Sequence, residues 1–76
     1  MRQKVLEILS DIRPDIDFET ATGLVTNKEL ASFDIISIVG ELGDEFDIDI
    51  SPKELVAENF DSLEAIVCLV ERLINE

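Results

Sequence analysis

The sequence predicts an all-α fold: a small antiparallel bundle of three main helices plus one short helix, with a long first loop. Apolar residues recur at spacings of three and four in three separate segments, which is typical of amphipathic helices packed on a core. The chain is 46% hydrophobic with four Phe and no Trp or Tyr, so this core must be built mainly from Ile, Leu and Val. With 76 residues, we expect a single domain over residues 1–76, because a chain this short is near the lower limit for one apolar core.

The first helix is predicted from about Arg2 to Arg13, where apolar residues form one stripe. Pro14 then ends it, because proline lacks the amide hydrogen that a helix interior needs. The segment 14–31 has no helical period, and a connection that long in a small domain is usually functional or packed against the core. The apolar residues expected to fasten it to the bundle are Ile16, Phe18, Leu24, Val25 and Leu30.

The second helix is predicted from about Ser32 to Phe46. Gly40 and Gly43 lie within it, although a glycine inside a helix costs about 1 kcal/mol relative to alanine. Either a neighbouring helix comes close to them, or a partner surface lies flat against that side of the helix. The apolar side holds Phe33, Ile36, Val39, Leu42 and Phe46, widened by Ile35 and Ile38, and the polar side holds Asp34, Glu41, Asp44 and Glu45.

The stretch IDIDISPKEL predicts an extended segment followed by a short third helix. Ser51 would cap this helix, Pro52 would be its first residue, and Glu54 would complete a capping box. The helix would last only a turn or two before Asn59.

The final helix is predicted from about Ser62 to Ile74, introduced by the stretch NFDSLEAIV. Asp61 can accept a hydrogen bond from a free amide of the first turn while Glu64 reaches back, so helix capping alone explains the letters DSLE. The apolar residues expected to be buried are Leu63, Ile66, Val67, Val70, Leu73 and Ile74.

The charge balance is strongly acidic, with six basic against eighteen acidic side chains and a formal net charge of −12. Eleven of the acids lie between Glu29 and Glu64, where Lys53 is the one basic residue. Such a surface repels nucleic acids and anionic membranes, so a basic protein is the expected partner. The alternative is a soluble acidic surface with no further meaning.

The composition argues against an enzyme. No histidine is present and the one cysteine, Cys68, falls inside a predicted helix, which excludes a histidine-assisted nucleophile and a zinc cluster. Cys68 is interpreted as a small space-filling side chain, with a reactive thiol as the alternative. A single cysteine allows no internal disulfide, and no run of about eighteen apolar residues occurs, so we expect a cytoplasmic protein without a signal peptide or membrane span.

Two runs of closely spaced acids resemble the alternating oxygen ligands of a calcium-binding loop. The first run lacks the glycine of a calcium loop and has Thr26 where a bidentate glutamate is needed, and the second leads directly into Ser51 and Pro52. Both are interpreted as solvated loop acids, and a calcium-responsive domain stays as an alternative that a thermal melt with and without calcium would test. The two runs are Asp15, Asp17 and Glu19, and Asp44, Asp47 and Asp49.

The pattern ELASFDIISIVGELGDEFDIDISPKEL resembles the acyl carrier protein family, which has Asp-Ser-Leu or a close variant at the head of its second helix. The resemblance covers nearly the whole chain: a short first helix, a long loop with TGL, the motif helix, a short SPKEL helix and a closing helix introduced by NFDSLEAI. It implies a carrier that delivers an acyl or aminoacyl thioester to successive enzymes. Fatty acid, polyketide, peptide and D-alanyl carriers share this frame, and the sequence does not separate them.

The resemblance places the family's attachment serine at Ser32, within LASF, rather than at Ser62. Only fourteen residues follow Ser62, whereas a motif helix, a short helix and a final helix fit after Ser32. In the family this serine carries 4'-phosphopantetheine, transferred from coenzyme A, as a phosphodiester. A helix start suits that group, because its unpaired amides and the positive end of the helix dipole favour a phosphate.

The resemblance also implies partners, namely a phosphopantetheinyl transferase and acyl- or aminoacyl-transferring enzymes that dock through basic patches on a free-standing monomer. The residue before the serine, usually aspartate in the family, is Ala31 here, and this removes a carboxylate from the place where the transferase, its magnesium ion and coenzyme A meet. The alternative is an acidic interaction or regulatory module of the same fold that takes no arm. If the recognition face of the family carries over, its charge comes from Asp34, Glu41 and Asp44, and its apolar contact from Phe33, Ile36 and Gly40.

Overall fold

The computed structural model describes residues 1–76 and is built from helices and loops alone, which confirms the predicted all-α fold. None of the helices combines the length and the apolar character that a membrane crossing requires. The elements are α1 (Arg2–Ile12), α2 (Ser32–Phe46), α3 (Ala57–Phe60) and α4 (Leu63–Ile74), with a 3₁₀ turn at Pro52–Glu54 between α2 and α3.

The helices α1 and α2 lie antiparallel, and α4 packs against both. An ion pair marks each end of the α1–α2 contact: Lys4 with Glu45 at 3.9 Å, and Arg13 with Asp34 at 2.7 Å. The core is apolar throughout and largely aliphatic, as predicted, with two phenylalanines added. Its members are Val5, Leu9, Phe18, Leu24, Leu30, Ile38, Leu42, Ile50, Phe60, Leu63, Ile66, Val67, Leu69 and Val70.

The long first loop is packed against the core, as its apolar residues predicted. Phe18, Leu24 and Leu30 are buried in it. Two backbone hydrogen bonds fix the loop around Leu24: the Leu24 amide donates to the Asp61 carbonyl at 2.8 Å, and the Leu30 amide donates to the Leu24 carbonyl at 2.9 Å. The loop is therefore tied to the segment that precedes α4.

The predicted cap of the final helix is wrong in its assignment of residues. Ser62 is the cap, because its Oγ accepts a hydrogen bond from the Ala65 amide at 3.1 Å. The Asp61 carboxylate instead binds the long loop, and Glu64 binds Arg2 at 2.8 Å rather than reaching back along the helix. Both carboxylates are taken by partners that are distant in sequence, so neither is left for local capping.

The predicted third helix is divided into two pieces, the 3₁₀ turn Pro52–Glu54 and the short α3. Ser51 precedes the turn and Pro52 begins it, as predicted, but the Ser51 side chain makes no capping hydrogen bond. Glu54 does not close a capping box either. Its carboxylate turns inward to bind Arg72, and Glu54 is the one charged residue that is buried in the fold.

The buried face of α4 differs from its prediction at three positions. Leu69 is buried although it was not predicted to be, Ile74 is exposed although its burial was predicted, and Leu73 is only half-buried. Ile74 continues the apolar stripe, but it lies in the last turn and borders an open depression with Phe46 and Leu73. Cys68, interpreted from the sequence as a small space-filling side chain, is exposed on the surface of α4.

Candidate functional site

Ser32 is the first residue of α2, and its side chain lies at the surface. Ala31 precedes it in an extended conformation, with φ −86° and ψ 168°, which turns the chain into the helix. Asp34 stabilises this start, because its carboxylate accepts a hydrogen bond from the Ala31 amide at 3.0 Å. Only this half of a capping box can form, since alanine has no side-chain acceptor to offer in return.

The first turn of α2 keeps free amide groups beside Ser32. The first backbone hydrogen bond of the helix runs from the Ile35 amide to the Ala31 carbonyl, at 3.1 Å. The amides of Ser32, Phe33 and Asp34 therefore have no acceptor within the helix. A helix of 15 residues also places the positive end of its dipole at this point, so the surroundings of the Ser32 hydroxyl favour an anion.

Asp34 is held within the protein by Arg13. The Arg13 Nη1 lies 2.7 Å from Asp34 Oδ2, and the same oxygen accepts the Ala31 amide. Arg13 also forms a two-point ion pair with Asp15, and these two carboxylates raise the pKa of its guanidinium, Asp15 more than Asp34. The structure thus gives Asp34 an internal role that the sequence did not predict, while its role in partner binding stays a prediction.

An apolar cleft of about 280 Å³ opens beside Ser32. The helix α2 forms one wall with Ile35 and Ile36, and the segment from the 3₁₀ turn into α3 forms the other with Leu55 and Val56. Seven of the eight lining residues are hydrophobic, and the serine is the one polar residue among them. The remaining lining residues are Val25, Ala57 and Phe60.

Large apolar side chains are exposed in the lining of this cleft and at Phe33, the residue after Ser32. Phe33 is 76% exposed and Ile36 is 66% exposed, and Leu55 and Val56 are also more than two fifths exposed. We call these four residues the apolar rim. Isolated exposed apolar residues are ordinary, but three at one opening, with Phe33 next to Ser32 in the chain, form a patch of the kind that marks binding surfaces.

The two helical glycines have different surroundings. A Cβ at Gly43 would lie 3.2 Å from the Ile48 carbonyl oxygen, so another part of the protein does approach this glycine closely. That part is the chain just after α2 rather than a neighbouring helix, and the Ile48 amide donates a hydrogen bond to the Gly43 carbonyl there. A Cβ at Gly40 would have no neighbour within 4 Å. Gly40 therefore leaves a flat, open surface on α2, and the explanation by a neighbouring helix is wrong at this position.

Of the acids predicted for recognition, Glu41 and Asp44 are exposed on α2. The ion pairs of α2 use Asp34 and Glu45, with Arg13 and Lys4 as their partners. Glu41 and Asp44 are left unpaired, so their charge is available to a molecule that approaches this helix.

Asp61 holds the part of the long first loop that lines the cleft at Val25. Its Oδ1 accepts hydrogen bonds from the amides of Val25 and Thr26, at 2.8 and 2.9 Å, and its Oδ2 accepts the Thr26 hydroxyl at 2.7 Å. These bonds, those from Thr26 above all, hold the pKa of the Asp61 carboxyl below its ordinary value. Since Val25 lines the cleft, we call this contact the Asp61 clasp.

The two serines considered as attachment sites, Ser32 and Ser62, have different environments. The Ser62 hydroxyl is half-buried and occupied as the cap of α4, which confirms the interpretation of the DSL stretch as a helix start. The Ser32 hydroxyl is exposed at the mouth of an apolar cleft. Of the two, Ser32 is the one that an incoming group can reach.

The acids considered as calcium ligands have other contacts or stand apart. Asp15 binds Arg13, and Asp17 accepts the Glu19 amide at 3.3 Å. The structure contains no group of three or more His, Cys, Asp or Glu residues arranged to hold a metal ion. The thermal melt with and without calcium stays as the test of that alternative.

Sequence reasoning missed Arg13 and the cleft, because both depend on tertiary contacts. A partial signal for the cleft is the pair Leu55 and Val56, apolar neighbours that follow a turn with no helical period. No local pattern distinguishes Arg13, whose partners lie up to 21 residues away.

No protein-family model, curated protein or solved structure matches this chain. The likeness to acyl carrier proteins stays a prediction from the sequence motifs.

Proposed function

We propose that the protein is a carrier of the acyl carrier type, which receives 4'-phosphopantetheine on Ser32 and transports an acyl or aminoacyl group. The observation that supports this most directly is the position of Ser32: an exposed hydroxyl at the first residue of a long helix, opening onto an apolar cleft. The arm, when bound, supplies the thiol that holds the cargo as a thioester. The protein itself holds, shelters and presents the cargo, and we propose no enzymatic role for it.

The residues around Ser32 fit a phosphodiester. The free amides of the first turn and the helix dipole stabilise negative charge next to the hydroxyl. Arg13 neutralises part of the charge of Asp15 and Asp34 nearby, so these carboxylates repel an anion less than they would alone. Ser62 offers no such place, because its hydroxyl is already used as a cap.

The cleft favours an apolar cargo among the groups that such carriers transport. Its lining contains no charged residue that could pair with the ammonium group of an aminoacyl cargo. At about 280 Å³ it is near the lower limit of ordinary ligand pockets, which suits a short acyl chain. Burial of such a chain removes apolar surface from water at about 25 cal/mol per Å².

The outer side of α2 supplies the contact with partner enzymes. Glu41 and Asp44 offer unpaired charge, Phe33 and Ile36 offer apolar surface, and Gly40 leaves room for a partner to lie close. A basic patch on a phosphopantetheinyl transferase or an acyl-transferring enzyme would complement this side. Such contacts give fast, salt-sensitive encounters, as the transfer of cargo between enzymes requires.

A second candidate is an interaction or regulatory module of the same fold that takes no arm. Ala31 is the observation that favours it, because no carboxylate stands next to the Ser32 hydroxyl in the sequence. The apolar rim and the acids of α2 would serve this role equally well.

Intact mass separates the two candidates. The protein and its Ser32→Ala and Ser62→Ala variants are incubated with coenzyme A, magnesium and a broad-specificity phosphopantetheinyl transferase. We expect a gain of one phosphopantetheine in the wild type and in Ser62→Ala, and none in Ser32→Ala. No gain in any form would reject the carrier role of this chain and leave the interaction module.

Two further variants test the contribution of position 31. Ala31→Asp restores the carboxylate, and Ala31→Asn is its matched control, because it caps the helix without a charge. Faster modification of Ala31→Asp alone would show that the carboxylate acts in the transfer. An equal gain in both variants would instead assign the effect to a better-capped helix.

A further inference from the structure

Arg13 connects four points of the chain that converge on the start of α2. Its Nε and Nη2 bind the two oxygens of Asp15 at 2.9 and 2.7 Å, and its Nη1 binds the Glu29 carbonyl oxygen at 2.9 Å and Asp34 Oδ2 at 2.7 Å. Asp15 lies at the beginning of the long loop and Glu29 lies near its end. One guanidinium therefore fixes the end of α1, both ends of the loop and the first turn of α2 relative to one another.

The contact reaches Ser32 through Asp34. The oxygen that accepts from Arg13 also accepts from the Ala31 amide, so the carboxylate cannot move without releasing one of the two. Ala31 directly precedes Ser32, and its carbonyl accepts the first hydrogen bond of the helix. The direction of the Ser32 side chain at the mouth of the cleft depends on this backbone.

We infer that Arg13 is a positioning residue for Ser32: it holds Asp34, and Asp34 holds the backbone from which the Ser32 hydroxyl projects. The inference rests on the proposed function of Ser32 as the attachment site. Arg13 touches neither the hydroxyl nor the cargo. Its effect is to keep the hydroxyl in one orientation when the transferase docks.

The geometry requires arginine at this position rather than any cation. Two nitrogens are used on Asp15 while the third is shared between a carbonyl and Asp34, and this needs a planar group with several fixed donors. A lysine provides a single ammonium group and can maintain only part of the set. Arg13→Lys is therefore expected to fall between the wild type and Arg13→Gln.

The chain offers a matched control in Arg2. This arginine lies at the opposite end of α1 and binds Glu64 at 2.8 Å and Glu19 at 3.8 Å. It thus connects α1 to α4 and to the loop, as Arg13 connects α1 to the loop and α2. Arg2→Gln removes a comparable set of ion pairs without touching α2.

Amide hydrogen exchange tests the positioning without any modification of the protein. In Arg13→Gln we expect faster exchange at the amides of Ala31 and Ile35, whose hydrogen bonds close the helix start, with exchange at the buried Leu42 unchanged. Arg2→Gln should leave both amides as in the wild type. Unchanged exchange at Ala31 and Ile35 in Arg13→Gln would overturn the inference.

Transfer kinetics test the consequence at Ser32. Misplacement of a nucleophile lowers the saturating rate of modification and leaves the half-saturating concentration of the carrier in place. We expect Arg13→Gln to lower the saturating rate roughly tenfold, below the ~100-fold that a displacement of about 1 Å can cause. A change confined to the half-saturating concentration would instead make Arg13 a docking residue and overturn the inference.

A double-mutant cycle tests the route through Asp34. If Arg13 acts on Ser32 through that carboxylate, Arg13→Gln should have little further effect on the saturating rate in an Asp34→Ala background. A full effect in that background would overturn the route. Should even the wild type remain unmodified, the proposed function fails, while the exchange measurement still decides whether Arg13 holds the start of α2.

Discussion

The guanidinium of Arg72 meets the carboxylate of Glu54 at two points, with Nη2–Oε1 and Nη1–Oε2 distances of 3.0 and 3.1 Å. Glu54 ends the 3₁₀ turn, and Leu55 and Val56 of the cleft wall follow it directly. The pair therefore anchors one wall of the cleft to α4. A side-chain hydrogen bond from Asn59 to the Glu54 carbonyl, at 2.8 Å, holds the same segment.

We expect Glu54→Ala to lower the midpoint of thermal unfolding by several degrees, because it leaves Arg72 without its carboxylate and releases the cleft wall. Glu58→Ala is the matched control, since Glu58 is an exposed glutamate in the neighbouring α3. Thermal melts followed by circular dichroism measure both variants. Equal melting temperatures would show that the Arg72 contact contributes nothing to the fold.

The Asp61 clasp predicts a dependence of stability on pH. Hydrogen bonds from Thr26 and Val25 hold the pKa of Asp61 below its ordinary value of 3.8. The folded state therefore binds a proton at Asp61 less readily than the unfolded state does. The clasp contributes its full stability at pH values above 3.8, and this contribution is lost as the pH falls from 3.8 toward the lower pKa of the folded state. Urea unfolding of the wild type and of Asp61→Asn measures this contribution as a difference between the two proteins.

We expect the wild type to be more stable than Asp61→Asn at about pH 7, and this advantage to shrink as the pH falls below 3.8 toward the lower pKa of the folded state. Comparison with Asp61→Asn isolates the contribution of this carboxyl group, because the two proteins differ at no other residue. A difference that stays constant with pH would mean that the charge of the carboxylate has no part in holding the loop.

The acids of α2 should separate into structural and docking residues. Asp44→Lys should weaken binding to a basic partner and reduce the salt sensitivity of that binding, while the melting temperature stays near that of the wild type.

Asp34→Lys should lower the melting temperature, because it places a second cation against Arg13 and removes the acceptor of the Ala31 amide. A folded, fully stable Asp34→Lys would contradict the internal role of that carboxylate.

The two glycines of α2 should respond differently to the same substitution. Gly40→Ala should stabilise the protein by up to about 1 kcal/mol, because the helix gains a better helix former and the added methyl group meets no neighbour. Gly43→Ala should raise the free energy of unfolding by less than Gly40→Ala does, or lower it, because its Cβ would lie 3.2 Å from the Ile48 carbonyl oxygen. Equal gains in the unfolding free energy from urea titrations would refute this assignment.

Local patterns predicted the helices well and the use of their polar residues poorly. The bounds of α2 agree with the prediction at both ends, and α1 ends one residue earlier than expected, because apolar spacing and Pro14 are local signals. Capping rules failed for Asp61 and Glu54. Each carboxylate is hydrogen-bonded to a residue that is distant in sequence: Asp61 to Thr26, and Glu54 to Arg72. No local rule reveals such a partner.

The candidate site was predictable only in part, for the same reason. The placement of Ser32 at a helix start and the exposure of Glu41 and Asp44 follow from helix geometry and agree with the structure. The cleft is made by segments from three parts of the chain, represented by Val25, Ile36 and Phe60, and becomes visible only when they are packed together.

The apolar rim has a consequence for the behaviour of the protein in concentrated solution. Four exposed large side chains would ordinarily drive copies of a small protein to associate. Two copies that met through their rims would each bring a net charge of −12, and this repulsion opposes the contact. The colloidal stability of the protein thus depends on ionic strength, since salt that screens the charge leaves the rims free to adhere.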